Sequence, residues 1–345
     1  MKKSVIAGAV ALAAVSAMLL SGCSTTAAGA NRACIILPDA DSGTRWEPGD
    51  RPALEKALTA AGFEADIQNA QNDTSKYATI GDQMLTKGCG VMMLVDLQGA
   101  GAAVAAKATK QGIPVIAYDR PITGADYYVS FDNTRVGEME GQTVLDGLKA
   151  NGVDPKSASI VYSSGDPADG NAKMFLDGAL SVLDAAGAHA AFTMAGTWDG
   201  PTAGTEFEQA YTKLNGKIDA VLAPNDNNAA NIIAILSKNG KTVPVSGQDA
   251  SVAGLQNVLL GTQTATVYKP FKTEAAAASD LAIKLLKGEK PTVSKKLADG
   301  TPFMALDPIL IKAADVHTVV EAGDAKASDI CTTDVAAACA KYGVK

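Results

Sequence analysis

The sequence is poor in histidine and tryptophan, with two of each in 345 residues. His189 and His317 lie far apart and no C-x-x-C pair occurs, so zinc finds no ligand set of the usual spacing. No G-x-S-x-G elbow and no H-E-x-x-H occur either, which removes two familiar hydrolase signatures. "KNGKT" at 238–242 has the end of a phosphate loop, but that pattern requires glycine at 235, where Ile235 stands. The stretch therefore reads as a helix-to-strand turn, and ATP hydrolysis by this chain is not expected. There is no basic excess: the formal net charge of -7 argues against nucleic acid, whose affinity rests on Lys and Arg meeting phosphates. No cofactor and no metal are expected.

The N-terminus has the organisation of an export signal. Lys2 and Lys3 precede an apolar or small stretch, Val5–Leu20, whose 16 residues fall short of the roughly 20 that span a bilayer. "LLSGCS" follows. Leu20-Ser21-Gly22-Cys23 resembles the lipobox of bacterial lipoproteins, in which the Cys becomes the lipid-bearing mature N-terminus. The alternative is a plain secretory signal with a chance Cys. The expected organisation is a signal peptide over 1–22, lipidation at Cys23 and a polar tether over 23–32, anchoring an exported protein to the outer face of the cytoplasmic membrane. Loss of Lys2 and Lys3 takes the charge to -7 - 2 = -9. Five cysteines less Cys23 leave four, an even number in an exported protein. Cys34 and Cys89 each open an expected strand, and adjacent parallel strands would bring those starts together. Cys331 and Cys339 are close in sequence. The expected disulfides are Cys34–Cys89 and Cys331–Cys339.

The length points to two domains. Beyond the tether, short strands alternate with helices. "CIILP", the continuously apolar "VMMLV" and "PVIAY" read as strands of a first half. "SIVYS", "AVLAP" and "PVSG" read as strands of a second. Helices are expected over "ALEKALTAAG", with Asp50 as N-cap and Gly62 as terminator, and over about 100–111, 172–186, 231–239 and 252–260. Such repetition specifies an α/β fold: parallel sheets with helices on both faces. The halves also match at one offset. Asp39, Asp96 and Asp119 each follow a strand, and adding 130 gives Asp169, Asp226 and Asp249, which do the same; Lys87 and Val91 map onto Lys217 and Val221.

In open parallel sheets, ligands bind beyond the carboxyl ends of the strands. Two lobes facing each other by those ends would enclose a ligand and could close around it. The residues there include Arg45, Trp46, Asp119 and Arg120 in the first half. Asp169, Asn171, Trp198, Asn225, Asp226 and Asp249 stand there in the second, with Lys269 near a crossing between halves. The set suits a sugar. A hydroxyl both donates and accepts, so a carboxylate on one side and a cation or amide on the other satisfy it. An indole ring covers the apolar C–H face. Asp226 could equally be a helix cap.

"TRWEPGDR", "VIAYDRPI", "YYVSFDN", "DGNAK", "NDNNA", "VSGQDA" and "GTQTATVYKP" carry a resemblance to the periplasmic sugar-binding proteins of bacterial ABC importers, nearest to their D-xylose-binding branch. The resemblance covers about residues 33–311. It implies the type I periplasmic-binding-protein fold: two doubly wound parallel-sheet lobes joined by a multi-crossing hinge. By that likeness the first lobe comprises 33–130 and 266–302, and the second 131–265 and 303–345. Matched motif by motif, Arg45, Asp119, Arg120, Asn171, Trp198, Asn225, Asp249 and Lys269 take sugar-contacting positions, with Trp46 and Asp169 as neighbours. The implied function is not enzymatic: capture of a monosaccharide, D-xylose first, for an ABC permease driven by a separate ATPase. The alternatives are a multi-sugar binder for glucose, galactose or arabinose and, further off, an exported carbohydrate-active enzyme. The family's lysine near the start of the first binding loop has no counterpart in "DADSGTRW", and the tail beyond Val319 lies outside the pattern.

Overall fold

The structure is a computed structural model and describes residues 31–39, 45–293 and 295–345. The signal segment, Cys23 and most of the tether lie outside the described residues. No described helix is long and apolar enough to cross a membrane.

The first lobe runs β1 (Arg32–Leu37), α1 (Arg51–Ala60), β2 (Glu64–Asn69), α2 (Thr74–Lys87), β3 (Val91–Leu94), α3 (Ala100–Lys110), β4 (Val115–Tyr118) and β5 (Tyr127–Phe131). Apolar residues fill both faces of β3 and β4, as a strand sandwiched between helix layers requires. The chain then enters the second lobe with α4 (Asn133–Ala150), β6 (Ile160–Ser164), α5 (Gly170–Ala185), β7 (Ala190–Gly196), α6 (Gly200–Lys213), β8 (Ala220–Leu222), α7 (Asp226–Lys238), α8 (Val252–Leu260) and β9 (Thr266–Tyr268). It returns through α9 (Phe271–Leu286), β10 (Lys295–Lys296) and β11 (Pro302–Leu306). It leaves again with β12 (Ile309–Ile311) and a tail of three short helices, α10 (Val316–Glu321), α11 (Ala327–Ile330) and α12 (Ala336–Tyr342).

The first sheet has the order β10-β11-β5-β4-β3-β1-β2 and is parallel except at β10. In the second lobe β7-β6-β8 is extended by bridges from Val221 to Val245 and from Gln248 to Val267, reaching β9 and its antiparallel partner β12. The two lobes thus repeat one strand order. "PVSG", expected as a strand, contributes only these isolated bridges. Strand pairing also moves the lobe boundaries. Residues 266–268 belong with the second lobe, because β9 pairs with β12 and bridges Gln248, whereas 303–306 belong with the first, because β11 pairs with β5. The chain crosses between lobes after β5, after β9 and after β11.

Side-chain caps start the helices. Asp73 accepts from Ser75 N and Lys76 N, Asp169 from Asn171 N, and Asn225 from Asn228 N. The last two explain why α5 and α7 begin earlier than expected, at 170 and 226. Asp50 stands at the N-cap of α1 but makes no capping bond; its carboxylate is committed elsewhere. Cys34 and Cys89 are disulfide-bonded with Cα atoms 5.8 Å apart, and Cys331 and Cys339 at 5.9 Å. β1 and β3 are neighbours in register, Cys34 opposite Met92, which brings the first pair together.

Candidate functional site

Asp119 and Asp249 occupy equivalent places at the carboxyl ends of the two sheets. Each has a left-handed backbone, φ +63° and +93°, which is uncommon outside glycine. Each is held there by the same bond: Asp119 N donates to Val129 O at 2.9 Å and Asp249 N to Val267 O at 2.8 Å. Each carboxylate pairs with a cation, Asp119 with Arg45 at 3.0 Å and Asp249 with Lys269 at 3.1 Å. Burial works against the Lys269 charge, but Asp249 and Asp119 together outweigh it and raise its pKa. Lys269 also lies 5.3 Å over the Phe175 ring.

Arg45 is the most heavily partnered of the candidates. Its Nε and Nη2 donate to Asp50 at 2.8 and 2.6 Å, and Nη2 also to Glu274 at 2.6 Å, which leaves Nη1 for Asp119. Burial again opposes the charge, and Asp50, Glu274 and Asp119 outweigh it. Asp50 and Glu274 are wholly buried. Desolvation lifts Glu274 above the ordinary carboxylate range, against the pull of Arg45.

Arg120 points the other way, toward the second lobe. Its Nη1 donates to Asp96 O at 3.0 Å and its Nε pairs with Asp169 at 3.3 Å. Asp169 accepts in addition from Trp198 Nε1 at 3.2 Å, and burial raises its pKa with Arg120 opposing. Asn171 Nδ2 donates to Asp119 O at 2.9 Å, a second polar bond between the lobes. Beside it the lobes touch directly. A Cβ added at Gly170 would fall 2.7 Å from Pro121 Cγ. The strand ends line one cleft of about 230 Å³, with Asp39, Asp96 and Arg120 on one wall and Asp169, Trp198 and Asn227 on the other. That is smaller than a drug-sized pocket of about 300–1,000 Å³ and suits one small polar ligand.

Of the sequence candidates, Arg120, Asp169 and Trp198 line this space; Arg45, Trp46, Asp119, Asn171, Asn225, Asp249 and Lys269 are not in its lining. Trp46 is 3% exposed and belongs to the first-lobe core, its ring beneath Arg45 at 4.6 Å and Arg120 at 5.9 Å. It supports the two guanidiniums rather than forming a rim. Trp198 is half-buried and meets Phe175 edge to face at 6.3 Å. Asn225 Oδ1 is occupied as the α7 cap. Asp226 is wholly buried, accepts from Gln263 Nε2 at 2.7 Å and Ser251 N at 2.8 Å, and shapes the Asp249 loop from behind. Sequence reasoning missed Asp50 as an Arg45 partner, and missed Glu274, Phe175 and Glu140, the last a buried acid of α4 within electrostatic reach of Lys269 and Asp249. The signal for the two glutamates was a lone acid on an otherwise apolar helix face. Among the described residues, no group of three or more His, Cys, Asp or Glu could hold a metal ion.

Residues 34–290 match the periplasmic binding protein domain family. The chain is 33% identical to the D-xylose-binding periplasmic protein of Haemophilus influenzae over 81% of its own length and 86% of the relative's. It is 30% identical to the multiple sugar-binding periplasmic receptor ChvE of Rhizobium radiobacter, over 84% and 89%. Among solved structures it resembles an ABC transporter solute-binding protein from Clostridium phytofermentans with bound β-D-glucose: TM-score 0.77, 27% identity, 87% of this chain and 99% of that one. These relatives are solute-binding proteins and not enzymes, and the fold is the type I periplasmic-binding-protein fold. The chain belongs to the periplasmic binding protein family, among its sugar-binding members.

Proposed function

We propose that this protein captures a single monosaccharide between its lobes, D-xylose before others, and presents the closed form to an ABC permease powered by a separate ATPase. The observation that carries the reading is the repeated pair of a left-handed strand-end acid and a cation, Asp119–Arg45 and Asp249–Lys269, with Arg120 and Asp169 meeting across the cleft. A sugar hydroxyl lying between the members of such a pair donates to the carboxylate and accepts from the cation. Asn171, Asn225 and Trp198 complete the contacts, with Trp46 bracing the guanidiniums. Capture needs no more than better contact with both lobes when they are shut than when they are open. Lipidation at Cys23 would hold the receptor at the outer face of the membrane beside its permease.

The preference for xylose rests on the 33% relatives, while the ChvE likeness and the glucose-bound structure support a broader sugar range. Calorimetric titration with D-xylose, D-glucose, D-galactose and L-arabinose distinguishes the two. Saturable binding tightest for xylose is expected; equal affinities would mean a multi-sugar receptor, and no binding of any pentose or hexose would end the reading. Cys23→Ala should move the protein from the membrane fraction to the soluble one, and retention in the membrane would remove lipidation.

A further inference from the structure

The tail beyond β12 lies past the span that matches the family. It is anchored to the second lobe. Val316, Val319, Ile330 and Val335 pack with Leu255 and Val258 of α8, and Gln256 Nε2 donates to Asp329 O at 3.2 Å and Ile330 O at 3.0 Å. The Cys331–Cys339 disulfide closes its last turn. From that base it reaches back to the crossing between β9 and α9. Asp324, whose side chain is 4% exposed, accepts a hydrogen bond from the hydroxyl of Tyr268, the last residue of β9, and pairs with Lys272 Nζ at 2.6 Å. Lys272 Nζ also donates to Gly323 O at 2.7 Å. Tyr268 ends a second-lobe strand. Lys272 opens α9, which packs into the first-lobe core through Ala275, Ala278 and Leu281. Between the two stands Lys269.

We propose that Asp324 is a positioning residue for sugar binding: the tail clamps both flanks of the crossing and thereby sets where Lys269 sits against Asp249 and Phe175 and how the lobes swing about it. The geometry is a three-point tie. One carboxylate holds a strand end in the second lobe and a helix start that packs into the first, and the disulfide-bonded base fixes that carboxylate to the second lobe. The inference rests on the reading that Lys269 contacts the sugar.

The test is D-xylose affinity by calorimetry for wild type, Asp324→Asn and Lys272→Met, each with its melting temperature, and for Asp324→Asn again in a Lys269→Gln background. Lys272 is half exposed and its replacement leaves the core untouched. Both single variants should weaken binding by about fivefold or more, the size of one lost net hydrogen bond. In the Lys269→Gln background the Asp324 change should have less than about twofold effect, since residues acting through one another are not additive. A general loss of stability would instead weaken binding equally in both backgrounds and would overturn the assignment. So would unchanged affinity in Lys272→Met, even if Asp324→Asn failed to fold. A wild-type protein that binds no sugar would bring down the functional reading itself; binding that ignores Asp324 and Lys272 would remove only the clamp.

Discussion

Arg45 and Arg120 are guanidiniums that share the Trp46 ring, and their surroundings give them different roles. Arg45 neutralises Asp50 and donates to Glu274, two acidic side chains with no exposure to water. Removing it strands them. Arg45→Met should lower unfolding free energy by about 3–5 kcal/mol, the cost of leaving buried charge unpaired, and urea titration reads this directly. Arg120 has its ion pair across the cleft, with Asp169, and donates to the backbone at Asp96. Arg120→Ala should lower the urea midpoint by less than Arg45→Met does, since it unpairs one acid, Asp169, while weakening the sugar by about 10- to 100-fold, as loss of a charge-assisted hydrogen bond implies. A large stability loss in Arg120→Ala, or none in Arg45→Met, would reverse these assignments. At this scale the sequence was partly legible. The acid and cation at the end of "VIAYDRP" stood out because they close a continuous apolar run at a strand end, although by themselves they read equally as a surface ion pair. Asp50 did not, because an aspartate before Arg51-Pro52 reads first as a cap. Glu140 and Glu274 were hidden for a different reason. Val136, Glu140 and Val144 share one buried face, as do Glu274, Ala278 and Leu281, and an acid on an apolar stripe is easily passed over as noise.

Among the elements, α4 and α5 form a close helix pair. A Cβ at Gly137 would lie 1.9 Å from Phe175 O, and one at Gly178 would lie 2.1 Å from Thr134 O, so the two backbones pack with nothing between them. This contact fixes Asn171 and Phe175 at the start of α5 against the hinge. Gly137→Ala should therefore destabilise by about 1–3 kcal/mol, the usual cost of overpacking, and shift the denaturant midpoint down; an unchanged midpoint would show the pair to be looser than described. The alternation of strand and helix was readable where buried strands are short apolar runs, as at β1, β3, β4, β6 and β8, but the more polar β2 and β7 and the helices α2, α4, α6 and α9 were not read. Which elements the chain assigns to which lobe was not. β9 and β11 are short, and the partners that place them lie far off in sequence, so the crossing points were displaced at 266 and 303.

Among the described residues, burial raises the pKa of Asp226 to about 7, of Glu274 to about 8, of Glu140 well above its ordinary value, and of Asp169. Each binds its proton more tightly folded than unfolded. The stability they confer is complete below their unfolded pKa of about 4 and is lost as pH rises toward the folded values. The ligand-free protein should melt at a higher temperature at pH 5 than at pH 8, with a slope of up to about 1.4 kcal/mol per pH unit for each proton concerned. Asp226→Asn should flatten the portion below pH 7. Glu47, Asp199 and Asp299 are depressed instead and act only below about pH 4, outside this window. Equal melting at pH 5 and 8 would show that these groups are not protonated in the native state.

The absence of a side chain at position 170 has a reach beyond its own neighbourhood. Pro121 rests where a methyl group would be, so one added carbon would act as a wedge at the pivot, propping the jaws ajar without altering any group that could touch a guest. A graded series of Ala, Ser and Val at that position would turn the spacing into a ruler. The drop in sugar affinity per added atom would report how much of the grip depends on shutting fully, separately from the chemistry of the grip itself.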